Sequence, residues 1–242
     1  MLMGMRRRFS MTCPAVHVAL LVVGSGVAAS LPAAEFLPEP KDNARRESFD
    51  GTVPGKLPAG WTAGITGEGV PRWSVVAEGA APSAPHVLQQ SGEVPKASFP
   101  LCLFDGASLR DGFVEVKFKA VRGKIDQAAG VVWRAQSTTN YYICRANALE
   151  DNVVLYKVEN GKRQTLSIVG REGGYGVDAR VTAGEWHALR VEFRGPRFRV
   201  TFDGKALFEV EDATFTAPGK VGLWTKADSV TLFDDFRCGP QP

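Results

Sequence analysis

The residues best suited to chemistry in this sequence are of the types that recognise sugars. Arg134 and Arg145 stand in two otherwise apolar segments, and Trp224 and Lys226 lie two residues apart in a third. Sugars present apolar C–H faces that stack on aromatic rings, and their hydroxyl groups hydrogen-bond to planar donors such as guanidinium groups. An arginine in an apolar strand either extends its charge to solvent or lines a hydrated surface. These four residues are therefore the candidate binding residues, and a glycan is the expected partner.

Signatures of catalysis are scarce. The sequence has no H-E-x-x-H or G-x-S-x-G motif, and Gly170–Gly176 lacks the strand-to-helix context of a phosphate-binding loop. Glu209 and Glu211 have a spacing that would direct two carboxylates into one cleft, as glycosidases require, but Glu211 belongs to a predicted turn. His187 shares a predicted strand face with Leu189, which indicates a structural histidine. Catalytic residues therefore remain unassigned.

The acids near the two ends of the domain are the candidates for a metal site. Asp234 and Asp235 would reach Asp50 if the first and last strands pair. Carboxylate oxygens bind Ca²⁺, whereas acids at such positions commonly cap turns. We expect turn capping, with Ca²⁺ as the alternative, and no other metal or cofactor.

The beginning of the chain has the features of an export signal. Arg6–Arg8 form a cationic start, and the apolar run over 15–31 ends in small residues. This run is too short and too glycine-broken for a membrane-spanning helix, which needs about 20 apolar residues. We therefore expect a signal peptide over residues 1–34, a single domain over 35–242, no membrane span, and a periplasmic or secreted protein.

The net charge of +3 comes from this leader. The whole chain has 29 Lys and Arg against 26 Asp and Glu. Removing the three arginines of the leader leaves 26 of each sign, since 29 minus 3 is 26. A balanced domain gives no electrostatic support for a nucleic-acid partner.

Three of the four cysteines follow the leader. They are Cys102, Cys144 and Cys238, and no C-x-x-C spacing suggests zinc. Cys144 lies within a predicted strand and is expected to be buried as a small hydrophobic residue. A disulfide between Cys102 and Cys238 remains open, because an exported protein can form one.

Three consecutive antiparallel strands form the centre of the domain. The predicted strands are Val131–Arg134, Tyr141–Ala146 and Val153–Val158, all rich in β-branched and aromatic residues. Asn160–Gly161 and, later, Asp203–Gly204 predict type I′ hairpins, because these residue types tolerate positive φ.

Strand alternation assigns side chains to faces. It predicts that Arg134 shares a face with Val132, whereas Ala135 lies on the opposite face with Trp133. In the next strand, alternation predicts that one face carries Tyr141, Ile143, Arg145 and Asn147.

The remainder of the chain also reads as short strands. Gly112–Ala120 and Trp186–Arg194 alternate between apolar and charged residues, as half-buried strands do. The other predicted strands are Glu47–Asp50, Arg72–Ala77, His86–Gln90, Leu101–Phe104, Phe198–Phe202, Ala206–Val210, Lys220–Thr225 and Ser229–Arg237. Because helical periodicity is absent over any ten residues, we predict an all-β fold, a two-sheet antiparallel sandwich.

Three stretches carry a family resemblance. They are SFDGTVPGKLPAGW, GVVWRAQSTTNYYICRANALEDNVVLYKVENGKR and GEWHALRVEFRGPRFRVTFDGKALFEVEDATFTAPGKVGLWTKADSVTLFDDF. Together they resemble the concanavalin A-like lectin/glucanase superfamily, and most closely its 3-keto-disaccharide hydrolase-like and laminin G-like branch. The resemblance implies a jelly roll whose concave sheet binds glycans, and it assigns Arg134 to that sheet.

Two departures from the family pattern concern activity. Lys226 stands where many relatives have a histidine, and Tyr141–Ala146 lacks the acidic residue often found there. We therefore expect a carbohydrate-binding, lectin-like domain, with a glycoside hydrolase or lyase acting on glycosides or 3-keto sugars as the alternative.

Overall fold

A computed structural model describes residues 43–240, so the predicted signal peptide lies outside the described residues. Within this range the chain forms β-strands and no helix, and hence no helix able to cross a membrane. The strands are β1 (Arg45–Glu47), β2 (Trp61–Thr66), β3 (Trp73–Ala77), β4 (His86–Gln90), β5 (Phe99–Leu109), β6 (Gly112–Arg122), β7 (Ala128–Ser137), β8 (Asn140–Asn147), β9 (Asn152–Glu159), β10 (Lys162–Thr165), β11 (Val177–Asp178), β12 (Trp186–Arg194), β13 (Arg197–Phe202), β14 (Lys205–Glu211), β15 (Gly219–Trp224) and β16 (Val230–Gly239).

The strands form two eight-stranded sheets. The first sheet has the order β14-β13-β12-β6-β16-β4-β3, with β1 paired to β16. The second sheet has the order β10-β9-β8-β7-β15-β5-β2, with β11 paired to β9. Neighbouring strands are antiparallel throughout. The predicted all-β, two-sheet antiparallel sandwich is confirmed.

The main core lies between the two sheets. The apolar alternate residues of β6 and β12 are buried there, as predicted. From the second sheet, Trp133 stacks on Phe193 of the first sheet with ring centroids 6.1 Å apart, and on Tyr142 at 5.5 Å. Each fully buried side chain of this size contributes about 1.5–3 kcal/mol of transfer free energy.

Both predicted type I′ hairpins are confirmed by their dihedral angles. Asn160 and Gly161 have φ of 50° and 76°, and Asp203 and Gly204 have φ of 46° and 77°. These values let each turn follow the right-handed twist of its two strands.

Three short strands were not predicted. β2 follows a Gly/Pro-rich loop and contains Gly64, while β10 is entirely polar. β11 has only two residues. The first strand also ends at Glu47, before the predicted Asp50, because Phe49 adopts a φ of 67° that an extended strand does not allow. The three unpredicted strands, β2, β10 and β11, exist because they pair with neighbouring strands and not because of a local sequence pattern.

A bulge in β7 reverses the predicted faces near Arg134. Arg134 has a φ of 47°, and the pairing of β7 with β8 loses its register after Trp133. As a result Ala135 is buried on the same face as Val132, and Arg134 packs toward the core. The prediction that Arg134 shares a face with Val132 is wrong, because an extra residue in a strand shifts the alternation by one.

The side chain of Arg134 ties three turns together. It is 1% exposed, and its guanidinium donates hydrogen bonds to the carbonyl oxygens of Arg110 (2.7 Å), Gly195 (2.7 Å) and Phe215 (2.9 Å). Asp111 adds a longer contact of 3.4 Å. The guanidinium is thus occupied by the turns after β5, β12 and β14.

The described cysteines are unpaired. Cys102, Cys144 and Cys238 are all buried and free, so the Cys102–Cys238 disulfide considered from sequence is wrong, while the burial predicted for Cys144 is confirmed. Burial raises the pKa of each thiol, which makes a reactive thiolate unfavourable at neutral pH.

His187 has the predicted structural role. Its Nδ1 lies 2.8 Å from Oδ2 of Asp203, and its Nε2 accepts the backbone N–H of Thr182 at 3.0 Å. The ring also stacks on Phe202. Both ring nitrogens are therefore engaged by the protein.

The acids of the predicted calcium alternative bind backbone and hydroxyl groups. Asp234 accepts the N–H of Ser83 at 2.7 Å, Asp235 accepts the Ser83 hydroxyl at 2.5 Å, and Asp50 accepts the N–H of His86 at 3.0 Å. Across residues 43–240, no three His, Cys, Asp or Glu side chains are grouped to hold a metal ion.

Arg134→Met should lower the free energy of unfolding by about 3–5 kcal/mol, because it leaves three carbonyl groups without their buried donor. Urea unfolding followed by tryptophan fluorescence measures the change. The matched control is Arg197→Met, since Arg197 is exposed and paired with Glu211 at the surface. Equal stability of the two variants would contradict the structural role of Arg134.

Candidate functional site

The second sheet buries side chains on its outward face as well as on its core face. We call these residues the outer cluster; all come from strands of the second sheet, and they occupy positions that alternate with its core residues. The outer cluster consists of Phe99, Leu101, Leu103, Ala128, Val132, Ala135, Tyr141, Ile143, Val154, Tyr156, Val158 and Trp224.

Trp224 is packed within this cluster. It is fully buried, its ring lies 5.2 Å from that of Phe99, and its indole N–H lies 3.3 Å from the Tyr141 hydroxyl. The same hydroxyl lies 2.7 Å from the hydroxyl of Thr66. Burial raises the pKa of Tyr141 to about 12, so the phenol keeps its proton at neutral pH. The expectation of a solvent-exposed Trp224 stacking surface is therefore not met.

Polar side chains gather at one end of the outward face. We call them the polar cluster: Asp126, Arg145, Asn147, Glu150, Asn152, Tyr156, Tyr175 and Lys226. Alternation along β8 brings Arg145 and Asn147 to this face, as predicted, and the β8–β9 register sets Asn147 opposite Asn152. The turn between β8 and β9 supplies Glu150, and the loop before β11 supplies Tyr175.

Arg145 is the centre of the polar cluster. It is 2% exposed, and its Nη2 donates to Glu150 Oε2 at 2.7 Å, to the Tyr175 hydroxyl at 3.0 Å and to the Tyr156 hydroxyl at 3.2 Å. Its Nη1 donates to Oδ1 of Asn152. The two phenol groups also bind each other. A buried guanidinium thereby has its charge and its donors satisfied.

Lys226 extends the cluster on its other side. Its ammonium group donates to Asp126 Oδ2 at 2.5 Å, and Oδ1 of the same carboxylate accepts the Asn147 amide at 2.9 Å. The loop that carries Asp126 is held by Asp228, whose carboxylate accepts the backbone N–H groups of residues 124, 125 and 126. Although burial alone would raise the pKa of Asp228, these three N–H groups lower it below its ordinary value.

Glu150 and Tyr175 connect the cluster to solvent. Their side chains are 38% and 45% exposed, respectively. Partial burial alone would raise the pKa of Glu150, but the nearby Arg145, Asn152 and Lys226 lower it, so the group is a carboxylate at neutral pH. Burial raises the pKa of Tyr156, which remains a phenol. The site thus offers an ionised acceptor beside protonated hydroxyl donors.

The structure brings together three of the four residues selected from sequence. Arg145 and Lys226 both lower the pKa of Glu150, and Trp224 belongs to the same outer cluster as Tyr156, which binds Arg145. Arg134 lies apart, on the core side of the β7 bulge.

Several members of the polar cluster were not selected from sequence. Alternation had grouped Asn147 with Arg145. Tyr156 could not be assigned to the cluster without the register of β8 with β9, which sets Tyr156 opposite Ile143. Tyr175 lies in the glycine-rich segment that was considered only for phosphate binding. No sequence signal identified Glu150 or Asp126.

Comparisons with known proteins agree with this architecture. Residues 45–238 match the family described as 3-keto-alpha-glucoside-1,2-lyase-like domain. The carbohydrate-binding module CBM66 from Bacillus subtilis is 19% identical with a TM-score of 0.56, over 73% of this chain and 93% of the module. The β-glucanase of Bacillus licheniformis is 13% identical with a TM-score of 0.51, over 84% of this chain and 100% of the enzyme.

None of the curated proteins compared with this chain matches it. At the identities of the two solved structures, their likeness shows the fold alone. Both are concanavalin A-like jelly rolls, so the predicted fold and the predicted family resemblance are confirmed.

Asp228→Asn should lower stability by about 1–2 kcal/mol at pH 7, because it weakens three hydrogen bonds to an ionised acceptor. The folded-state pKa is lowered, so this contribution is present above the unfolded pKa of about 3.9 and is lost as pH falls through the folded value. Unfolding of wild type and variant between pH 2.5 and 7 measures this difference. Glu185→Gln, in an exposed turn, is the control; a difference from wild type that does not shrink as pH falls below about 3.9 contradicts the assignment.

Trp224→Ala should lower the free energy of unfolding by about 3–5 kcal/mol, the usual cost of truncating a buried aromatic residue. Trp186→Ala is the matched control, because Trp186 is only partly buried and its N–H binds the Ala80 carbonyl at the surface. Thermal and urea unfolding should rank Trp224→Ala well below Trp186→Ala. A reversed order would show that Trp224 does not support the outer cluster.

Proposed function

Because the chain belongs to the 3-keto-alpha-glucoside-1,2-lyase-like domain family, we propose that it binds a saccharide at the polar cluster on the outward face of the second sheet. The observation that carries this proposal is the convergence of Glu150 and Tyr175, both solvent-accessible, on the buried Arg145. A saccharide needs adjacent acceptors and donors for its hydroxyl groups, and this pair offers both.

The site is held in place before any ligand arrives. Arg145 fixes the carboxylate of Glu150 and the hydroxyl of Tyr175, and the remaining donors of the guanidinium are directed at Asn152 and Tyr156. Ordering polar groups in advance reduces the entropy lost on binding, so such a site binds more tightly than a mobile one.

The proposal assigns different roles to the four residues selected from sequence. Arg145 and Lys226 belong to the binding site, and Trp224 stabilises it by packing in the adjacent outer cluster. Arg134 acts by holding turns, since its donors are occupied by carbonyl groups. The proposal also keeps the second sheet as the concave sheet and the protein as periplasmic or secreted, in line with the export signal predicted over residues 1–34.

Cleavage of a 3-keto glycoside is the second candidate function, favoured by the family match and by the ionised Glu150. A keto group at C3 acidifies the proton on C2. In a 1,2-elimination, Glu150 would accept that proton as the C1–C2 double bond forms and the C1–O bond breaks. A tyrosine hydroxyl of the pair Tyr156 and Tyr175 would protonate the departing oxygen.

Glu150→Gln and Tyr175→Phe should each weaken saccharide binding at least about tenfold, since each removes one polar contact of about 1.4 kcal/mol with the sugar. Glu209→Gln, on the first sheet, should have no effect. Calorimetric titration with glucose disaccharides and their C3-oxidised forms measures affinity, and mass spectrometry measures cleavage. Wild-type affinity in both site variants would contradict the proposal, as would failure to bind any of these disaccharides or of the oligosaccharides titrated below.

The same experiment separates binding from cleavage. If the protein is an enzyme, Glu150→Gln should abolish release of the sugar from the 3-keto substrate while wild-type protein turns it over. If wild type binds the oxidised and unoxidised disaccharides and cleaves neither, the elimination is excluded and the binding function stands.

A further inference from the structure

Arg163 occupies an unusual place on the outward face of the second sheet. It lies on β10 opposite Val158 of the outer cluster. Its guanidinium carbon is 4.4 Å from the ring centroid of Tyr156, 4.9 Å from that of Phe99 and 5.8 Å from that of Trp224. The guanidinium therefore covers three aromatic rings, and its cation–π contacts hold it against them.

Within residues 43–240 this guanidinium has no counter-ion. Among residues 43–240 it makes no ion pair and no hydrogen bond, and its Nη1 atom is buried without an acceptor. The two cations of the polar cluster differ in that respect. Arg145 is paired with Glu150 and Lys226 with Asp126. Arg163 as a whole is only partly buried, so an anionic group of a ligand can reach the rest of its guanidinium and supply the missing counter-ion.

Three cations lie on or beside the aromatic and polar clusters of the outward face. Arg145 and Lys226 each have a carboxylate partner, Glu150 and Asp126, whereas Arg163 has none among residues 43–240. The unpaired charge belongs to Arg163. Its position is also continuous with the polar cluster, because Tyr156 binds Arg145 through its hydroxyl and carries Arg163 on its ring.

From this we infer that the saccharide bound at the polar cluster carries a carboxylate, as a hexuronic acid residue does, and that Arg163 pairs with it. The inference rests on the proposed saccharide-binding function and names the class of sugar. A guanidinium presents two parallel N–H groups that match the two oxygens of a carboxylate. The sugar hydroxyl groups then meet Glu150 and Tyr175, and the acid group meets Arg163.

Short oligosaccharides of galacturonic, glucuronic and mannuronic acid test this assignment. Each is titrated in three forms: the free acid, the methyl ester and the neutral hexose oligomer of the same length. Sulfated neutral oligomers form a fourth arm, because a sulfate ester would also satisfy an unpaired guanidinium. Wild-type protein should bind at least one free acid about tenfold or more tightly than its methyl ester. That affinity should fall with rising ionic strength.

Arg163→Gln should remove the preference for the free acid over the ester, whereas Arg163→Lys should keep part of it. Lys162→Gln is the matched control, since it removes the same charge from the adjacent, exposed residue of β10 and should leave the preference unchanged. Circular dichroism and thermal unfolding check that the variants are folded. The ionic-strength dependence of wild type gives an answer even if Arg163→Gln is not folded.

Equal affinity of wild type for acid, ester and neutral oligomers would overturn the role of Arg163 and leave saccharide binding intact. Selective binding of the sulfated oligomers would overturn the carboxylate in favour of a sulfate ester. Failure to bind any of these oligosaccharides or the disaccharides tested above would overturn both the saccharide-binding function and this inference.

Discussion

Burial of the second sheet on both of its faces is the constraint on which the rest of the structure depends. Val131 is fully buried in the core, and its neighbour Val132 is fully buried in the outer cluster. A polar side chain on such a sheet has little water to bind, so it must find its partners within the protein. Tyr141, which binds Thr66 and Trp224, follows this rule. The polar cluster is therefore densely hydrogen-bonded because of where it lies.

Three arginines of the second sheet meet this constraint in three ways. Arg134 binds backbone carbonyl groups and thereby fixes turns, and Arg145 binds a carboxylate, an amide and two phenols. Within the described part of the chain, Arg163 contacts aromatic faces and no hydrogen-bond acceptor. A guanidinium recognises a ligand directly when it keeps donors unfilled, and this separates Arg163 from Arg134 and Arg145, which donate to groups of the protein.

Binding and elimination would use the same side chains at this site. An ionised Glu150, which shares the Arg145 guanidinium with Tyr175, can accept a hydrogen bond from a hydroxyl group or a proton from carbon, depending on the acidity of the sugar. The fold is shared by the carbohydrate-binding module and the β-glucanase to which the chain is similar, so the fold does not decide between the two chemistries. Cleavage of a C3-oxidised ligand by the wild-type protein would decide it.

The all-β class, the Asn-Gly and Asp-Gly hairpins and the strands with regular alternation could all be predicted from local sequence patterns. In β8 that alternation was enough to bring Arg145 and Asn147 to one face, because a two-residue period is a local property of extended backbone. Tertiary structure alone decided the rest. The bulge at Arg134, the partners of Arg145 at Glu150 and Tyr175, and the unpaired state of the cysteines depend on register and on loops far apart in sequence. No local pattern encodes such contacts, since they arise when the strands pair and the loops close over them.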